Sequence, residues 1–339
     1  MRRVGIDRRD GRGCPRRGRA RRSRRPERTR EPRPGGPGGA GATGPADGAP
    51  PRRARREQER LAALVIRHDS GIGAPPGGPA PGGPAEPPHA CTASCVRRCL
   101  EGAAAAARGP LSGGSPLRRV RLVGGADVSF DKATAAPAQR AVAGLVVLSF
   151  PALEVVWEGG SESDLRVPYL PGYLGFREVA PLRALVDGAR AAGFAPDVVL
   201  VDGLGTWHPR RCGSASHLGV TAGVPTVGLA KKMLPEGGAT KGGVRAAVDG
   251  LREAGGAPGA GGVAVVPVVA GSGEVLGAAV AGHGGGATNP VYVSVGHAVG
   301  LATATELVLR CCRNRVPEPI RQADIRTRAW GRERWGAPG

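Results

Sequence analysis

The sequence predicts an α/β fold, a mixed β-sheet flanked by helices, preceded by a disordered Arg/Gly/Pro-rich tail and interrupted by a low-complexity insertion. Three observations predict it. Short β-branched runs begin at Leu122 and first follow one another directly, as in an antiparallel meander. They then alternate with helical patterns, and sheet with helices on its faces is the natural way to bury both. The 339 residues include 58 glycines and 32 prolines, and outside that region glycine, proline, alanine and arginine dominate, a composition that does not pack uniformly.

Residues 1–52 show no apolar periodicity and cannot bury enough surface to offset their ordering entropy, so they are expected to be disordered. A helix follows within 53–68: RREQERLAALVIRH places Leu61, Leu64, Val65 and His68 along one face, with Glu57 and Glu59 early. Residues 69–117 return to Gly, Pro and Ala; only CTASCVRRCLEGAAAAA is able to form a helix there, and no stable fold is expected. The main domain spans 118–329. VGGADVSF, AVAGLVVLSF and LEVVWE read as three strands, then VAPLRALVDGARAAG as a helix with Leu182, Leu185 and Val186 facing inward, and PDVVLVDG as a buried strand. SASHLGVTAG is a helix, PTVGLAK, VAVVPVV, GEVLGAAVAG and PVYVSVG are strands, and ATATELVLRCC and the PEPIRQADIRTR region are helices. Residues 236–262 form a Gly/Ala-rich connection, and 330–339 a C-terminal tail.

Charge is distributed as unevenly as hydrophobicity. The formal net charge is +20, and residues 1–60 hold 20 arginines against seven acids. Such a tail binds polyanions through counterion release without specifying which. No apolar stretch is long enough to cross a membrane: Ala141 to Trp157 is broken by Ser149, Pro151 and Glu154. The N-terminal arginines lack the apolar core of a secretory signal, and seven unframed cysteines suit a reducing compartment. Cys91, Cys95 and Cys99 have no histidine in zinc-finger register. The expectation is an intracellular protein, cytoplasmic and nuclear or nucleolar.

Three carboxylates stand where packing explains them poorly. Asp127 lies in a strand of apolar and small residues, and Asp202 ends the apolar run VVLVD. Glu178 opens a helix after PGYLGFR. Each has a plainer reading: a buried aspartate capping a turn, or a first-turn acid complementing the helix dipole. Together they suggest hard oxygen ligands of the kind that hold Mg²⁺ or Mn²⁺ beside a phosphate, as in nucleases, with one or two ions.

The sequence resembles the endonuclease V family through GGADVSF (124–130), VVLSFPALEVVWE (146–158), VPYLPGYLGFRE (167–178) and VLVDGLGTWHPRRCGSASHLGV (199–220). PTVGLAKK (225–232), GEVLG (273–277), PVYVSVGHAV (290–299) and RVPEPIRQADIRTR (315–328) continue it in order, and the helix at 53–68 joins it. The resemblance implies a ribonuclease H-like fold and a metal-dependent endonuclease that recognises inosine and cuts the second phosphodiester 3′ to it. Asp127, Glu178 and Asp202 match the metal-binding positions, with Mg²⁺ as cofactor and Mn²⁺ as substitute.

Further roles follow from the same match. Lys231 falls near the active site, where an ammonium steadies phosphate or activated water; a solvated strand-end lysine is the alternative. His208 and His297 match histidines flanking the cleavage site, or are turn and capping residues. The turn Pro168, Tyr169, Leu170, Pro171, Gly172 resembles the wedge that replaces a turned-out nucleotide, with the Tyr169 ring taking over base stacking, or it is an ordinary surface turn. Backbone groups of Gly172, Leu174, Gly203 and Ser214 are expected to read the flipped base. Leu204 departs from the family, which usually has Asn or Gln there, so one polar contact beside the metal site is missing.

The REQERLAALVIRHD and RCCRNRVPEPIRQADIRTR segments look most like the animal branch, which acts chiefly on inosine in single-stranded RNA. Deoxyinosine-containing DNA is the alternative substrate. A catalytically impaired inosine-RNA binder is the alternative of another class.

Overall fold

The computed structural model describes residues 52–69, 72, 93–111, 113–134, 139–165, 170–253, 263–282 and 289–336. The chain divides into units 1–47 and 48–339, and every described residue belongs to the second. The expected disordered tail therefore lies outside the described residues except for Arg52, as do most of 70–92 and the two wedge residues Pro168 and Tyr169.

The described chain opens with helices α1 (Arg52–Ala63) and α2 (Ala93–Ala106). Strands β1 (Leu122–Phe130), β2 (Gln139–Ser149) and β3 (Val155–Leu165) form the antiparallel meander that the sequence predicts. Helix α3 (Gly175–Ala191), strand β4 (Val198–Asp202), helix α4 (Ser214–Ala222) and strand β5 (Thr226–Ala230) then alternate. Helix α5 (Lys241–Glu253), strands β6 (Ala264–Val269), β7 (Val275–Ala281) and β8 (Val291–His297), and helices α6 (Leu301–Arg310) and α7 (Glu318–Trp335) complete the chain. The eight strands make one sheet in the order β3-β2-β1-β4-β5-β8-β7-β6. Among the described strands the parallel pairs are β1 with β4 and β4 with β5.

Alternation along the strands sorts the core. Val146, Leu148 and Leu200 face one side, with Leu307 of α6, Ile320 and Ala323 of α7 and Leu100 of α2. Leu145, Val147, Val199 and Val201 face the other, with Leu182 and Val186 of α3 and Leu218 of α4. A third cluster gathers Trp207 and Tyr292, whose rings meet edge to face at 5.6 Å, with Val244 and Val248 of α5. Helix α7 approaches β1 so closely that a Cβ at Gly125 would collide with the Pro319 backbone. That approach carries the next turns of α7 over the active strands. Among the described residues no helix is long and apolar enough to cross a membrane.

Four sequence expectations differ from the structure. Helix α1 stops at Ala63 rather than His68 and leaves Leu64 48% exposed. Tertiary pairing takes its continuation: Ile66 N–H donates to His297 Nδ1 at 3.3 Å, and the Ile66 carbonyl accepts from Ala298 N at 2.7 Å. Asp69 then caps α6 through Gly300 N and the Thr303 hydroxyl. Within 69–117, where no stable fold is expected, α2 buries Leu100 completely, and Arg310 of α6 donates to its Ala106 carbonyl at 2.6 Å. The Gly/Ala-rich connection holds α5 because Val244 and Val248, one turn apart, bury a shared face despite three glycines. Finally, α7 continues to Trp335, whose indole N–H donates to Glu162 of β3 at 3.1 Å, so the last helix outruns the boundary at 329.

Candidate active site

The parallel strands bring their carboxyl ends together. The last ladder pair between β1 and β4 is Ala126 with Val201, so Asp127 and Asp202 follow side by side. Asp202 is in turn opposite Leu229 of β5, two residues before Lys231. Ligands of open α/β sheets collect at such ends, because the strands aim their terminal side chains into one crevice.

Helix α7 adds a residue that sequence reasoning missed. One oxygen each from Asp127, Asp202 and Asp324 lie within 4.8 Å of one another. A signal for Asp324 was present: Ile320, Ala323 and Thr327 mark the buried stripe of α7, and Asp324 falls on the same side, one turn after Ile320. An acid at such a place needs a partner. Asp324 finds Lys231 Nζ at 3.3 Å and Arg328 at 2.9 Å. Thr327, on the same helix, donates its hydroxyl to Asp127 Oδ2 at 3.0 Å.

These acids crowd beyond the charge available to them. Burial first, and the Asp202 charge second, push the Asp127 carboxyl up to about 7. Glu178, in the first turn of α3 and 6% exposed, is pushed up to about 8 by burial and then by the charges of Asp127 and Asp202. Lys231 Nζ lies 2.7 Å from Asp202 Oδ2. Burial opposes its charge, but Asp202, Asp127 and Asp324 outweigh burial and hold the ammonium above the usual lysine value. The four carboxylates, all hard oxygen donors, outnumber Lys231 and Arg328, the cations paired with the aspartates, so the donor set fits a divalent cation. Glu178 joins this centre electrostatically, while the three aspartates meet the geometry of a shared ion.

The turn expected to take part in recognition has one charged neighbour, the Arg210 guanidinium, which donates to the Gly172 carbonyl at 2.6 Å. The Tyr173 N–H closes on the Leu170 carbonyl at 2.9 Å, with Pro171 and Gly172 at the centre of the turn. Gly172 has φ +77°, a left-handed conformation that costs glycine little. Leu174 leads into α3, its carbonyl accepting from Arg177 N and Glu178 N. Gly203 and Ser214 meet directly: a Cβ at Gly203 would strike the Ser214 hydroxyl oxygen at the start of α4. Of the groups expected to read a base, Gly203 and Ser214 thus meet at the start of α4, while Gly172 and Leu174 lie in the stretch that enters α3.

The two predicted catalytic histidines part company. His208 sits against the turn, its ring hydrogen-bonded to the Gly172 carbonyl and its Nδ1 accepting from Arg210 N at 3.2 Å. Burial, and then the Arg210 charge, lower it to about 4, so it is a neutral hydrogen-bonding group. His297 is not brought to the acids: it pairs with Thr226 at the start of β5, whereas Lys231 follows the end of that strand. Burial holds it, too, at about 4. Leu204 turns its side chain toward the Trp207 cluster, so no polar group stands there beside Asp202.

Known proteins share this arrangement. The Endonuclease V family profile matches residues 111–325. A mouse Endonuclease V is 44% identical over 222 residues, which are 65% of this chain and 62% of the relative's length. The crystal structure of the catalytic domain of human Endonuclease V superposes with a TM-score of 0.64 at 38% identity, covering 85% of this chain and all of the other. Endonuclease V of Ciona intestinalis, solved with a 23mer DNA containing an inosine followed by a ribo-adenosine, has a TM-score of 0.63 at 29% identity, covering 83% and 97% of the two chains. With the ribonuclease H-like sheet of these structures and a profile match over most of its described length, the chain belongs to the endonuclease V family.

Proposed function

We propose that the protein is a divalent-cation-dependent endonuclease that recognises inosine in single-stranded RNA and hydrolyses the second phosphodiester bond 3′ to it, with Mg²⁺ as the working ion and Mn²⁺ as a substitute. The observation that carries this reading is the convergence of Asp127, Asp202 and Asp324 on one point, with Glu178 buried beside them and Lys231 as the single ammonium. A divalent ion held there polarises a phosphodiester and makes a neighbouring water more acidic.

The chain's own residues supply the rest. Asp127, Asp202 and Asp324 hold the ion, while the Thr327 hydroxyl keeps the Asp127 carboxylate in one orientation. Glu178, buried beside them and raised by the charges of Asp127 and Asp202, is the further acid that would join the set holding the ion, whose positive charge would offset that crowding. Lys231 balances charge on Asp202 and Asp324 and is available to a phosphate oxygen. The turn through Gly172, with Leu174, Gly203 and Ser214, reads a base taken out of its stack, and stacking on the Tyr169 ring replaces the lost neighbours.

RNA is favoured over DNA by the likeness of the α1 and α7 segments to the animal branch. The arginine-rich residues 1–52 add sequence-independent affinity and direct the chain to cytoplasm, nucleus and nucleolus, which a fluorescent fusion of the full chain checks. The deciding experiment is cleavage of end-labelled single-stranded RNA carrying one inosine, beside its adenosine control and the deoxyinosine DNA equivalent, with Mg²⁺ and with EDTA. Metal-dependent cutting one nucleotide beyond inosine in RNA is the expected result. Cutting of the DNA alone overturns the substrate class, and bound but intact RNA overturns the enzyme in favour of a binder.

A further inference from the structure

Midway along, helix α1 carries a buried polar side chain, Gln58, aimed at the recognition turn. Gln58 is 2% exposed, and all three of its hydrogen bonds leave the helix. Its Nε2 donates to the Gly172 carbonyl at 3.0 Å and to the Cys212 carbonyl at 2.6 Å. Its Oε1 accepts from Arg210 Nε. Arg210 then donates a second time, to the same Gly172 carbonyl at 2.6 Å, and its guanidinium lies 4.1 Å from the centre of the Tyr173 ring.

The node has a definite geometry. The Gly172 carbonyl receives Gln58 and Arg210, which fill its two lone pairs and fix its direction, with the His208 ring beside it. The Cys212 carbonyl immediately precedes Gly213, the residue that opens α4, and Ser214 follows. One amide therefore ties the turn that precedes α3 to the loop that precedes α4, the two stretches that bracket the base-reading backbone. A purely structural helix would dock on apolar contacts alone, which α1 already has through Leu61, 1% exposed. Burying an amide is costly unless every group is met, and here the groups met are those of the pocket walls.

We propose that Gln58 is a positioning residue for base recognition: it holds the Gly172 and Cys212 carbonyls at the spacing that admits a flipped hypoxanthine. The assignment deepens the inosine-endonuclease reading and rests on it. The test compares Gln58→Met, which keeps volume and removes the donors and acceptor, Gln58→Glu, which keeps the acceptor toward Arg210 and removes the donors, and Leu61→Ala, which weakens docking of the same helix without touching the node. Each full-length variant is melted and then assayed well below its melting temperature on inosine- and adenosine-containing single-stranded RNA.

Both Gln58 variants are expected to lose about tenfold of the inosine preference, the size of one or two lost hydrogen bonds, with the loss falling on KM more than on kcat. Leu61→Ala is expected to melt lower and keep its preference. Unchanged preference in the Gln58 variants overturns the proposal, as does an equal loss in Leu61→Ala. Should Gln58→Met not fold, Arg210→Lys breaks the same node from the loop side with charge retained, and the same two outcomes apply. Absence of any preference in the unaltered chain overturns the functional reading instead, so the two failures are told apart.

Discussion

The acidic centre and the recognition turn lie at neighbouring ends of the same strands and helices, yet they are held by opposite means. At the centre, Lys231 and Arg328 are the cations paired with the aspartates, Glu178 is buried beside them, and two of the four acids are pushed up to about 7 and about 8. At the turn, Gln58 and Arg210 both donate to the Gly172 carbonyl, and the histidine there is held down at about 4. The difference teaches where each site's binding energy resides. The centre is unfinished without added positive charge, while the turn is complete and offers shape. Changes at the first should act on chemistry, and changes at the second on selection.

The largest effect tests the centre. Asp127→Asn or Asp202→Asn is expected to lower the single-turnover cleavage rate by at least about 10³-fold while inosine-selective binding, measured in EDTA, persists. Equal loss of binding would erase the distinction between the two regions. Asp324→Asn comes next: with two aspartates still in place, a loss of about 10²-fold is expected, partly recovered at raised metal concentration. A change of less than twofold would remove Asp324 from the ion-holding set.

Asp324 also shows how far the sequence could be read. Asp127 and Asp202 were legible because each ends or interrupts an apolar strand, where an acid is conspicuous. Asp324 sits in a helix with charged neighbours on both sides, and only the tertiary approach of α7 to β1 at Gly125 makes it part of the centre. The meander and the alternation of strands with helices were legible from period and turn residues. Helix α2 was legible as a helix-capable patch but not as a packed element, and α5 not at all, because alanine and glycine carry no amphipathic signal until a neighbouring element covers Leu100 or Val248. His297 was placed by resemblance near the cleavage site, whereas antiparallel pairing of β8 with β5 carries it to the opposite end from Lys231.

The turn is tested by Gly172→Ala. At φ +77° a Cβ is strained and would meet the Arg210 guanidinium and the His208 ring. A rise in KM of about tenfold for inosine RNA is expected, with kcat less affected. A loss confined to kcat would mean that the turn acts on the chemistry and not on selection.

Acid separates the regions by pH. His208, His217 and His297, all outside the acidic centre, are held near 4 chiefly by burial, below the ordinary histidine value of 6.5. Their folded values are depressed, so the unfolded chain takes up protons first: the stability they contribute is full above 6.5 and is lost as pH falls toward 4. Asp127 and Glu178, held up at about 7 and about 8, take up protons in the same range and act in the opposite sense in EDTA, so the unaltered chain is compared with His297→Gln: it is expected to lose roughly 3 °C more of its melting temperature between pH 7 and pH 5 than the variant does. Equal changes in the two proteins would show that His297 is solvated.

The smallest effect lies at the border between the two regions. Leu204 follows Asp202 and Gly203 and spends its side chain on the Trp207 cluster, while its carbonyl accepts from Ala215 N at 3.1 Å and so helps start α4. The side chain thus belongs to packing and the backbone to the turn's side of the site. Leu204→Asn exchanges that apolar contact for an amide next to Asp202, where the family usually has one. Turnover is expected to rise about two- to fivefold, with melting lowered by roughly 3 °C for the lost burial. Because the backbone contact to Ala215 is untouched, inosine preference is expected to stay constant. A fall in turnover would mean that packing against Trp207 sets the position of Asp202, making this apolar contact part of what holds the acidic centre in register.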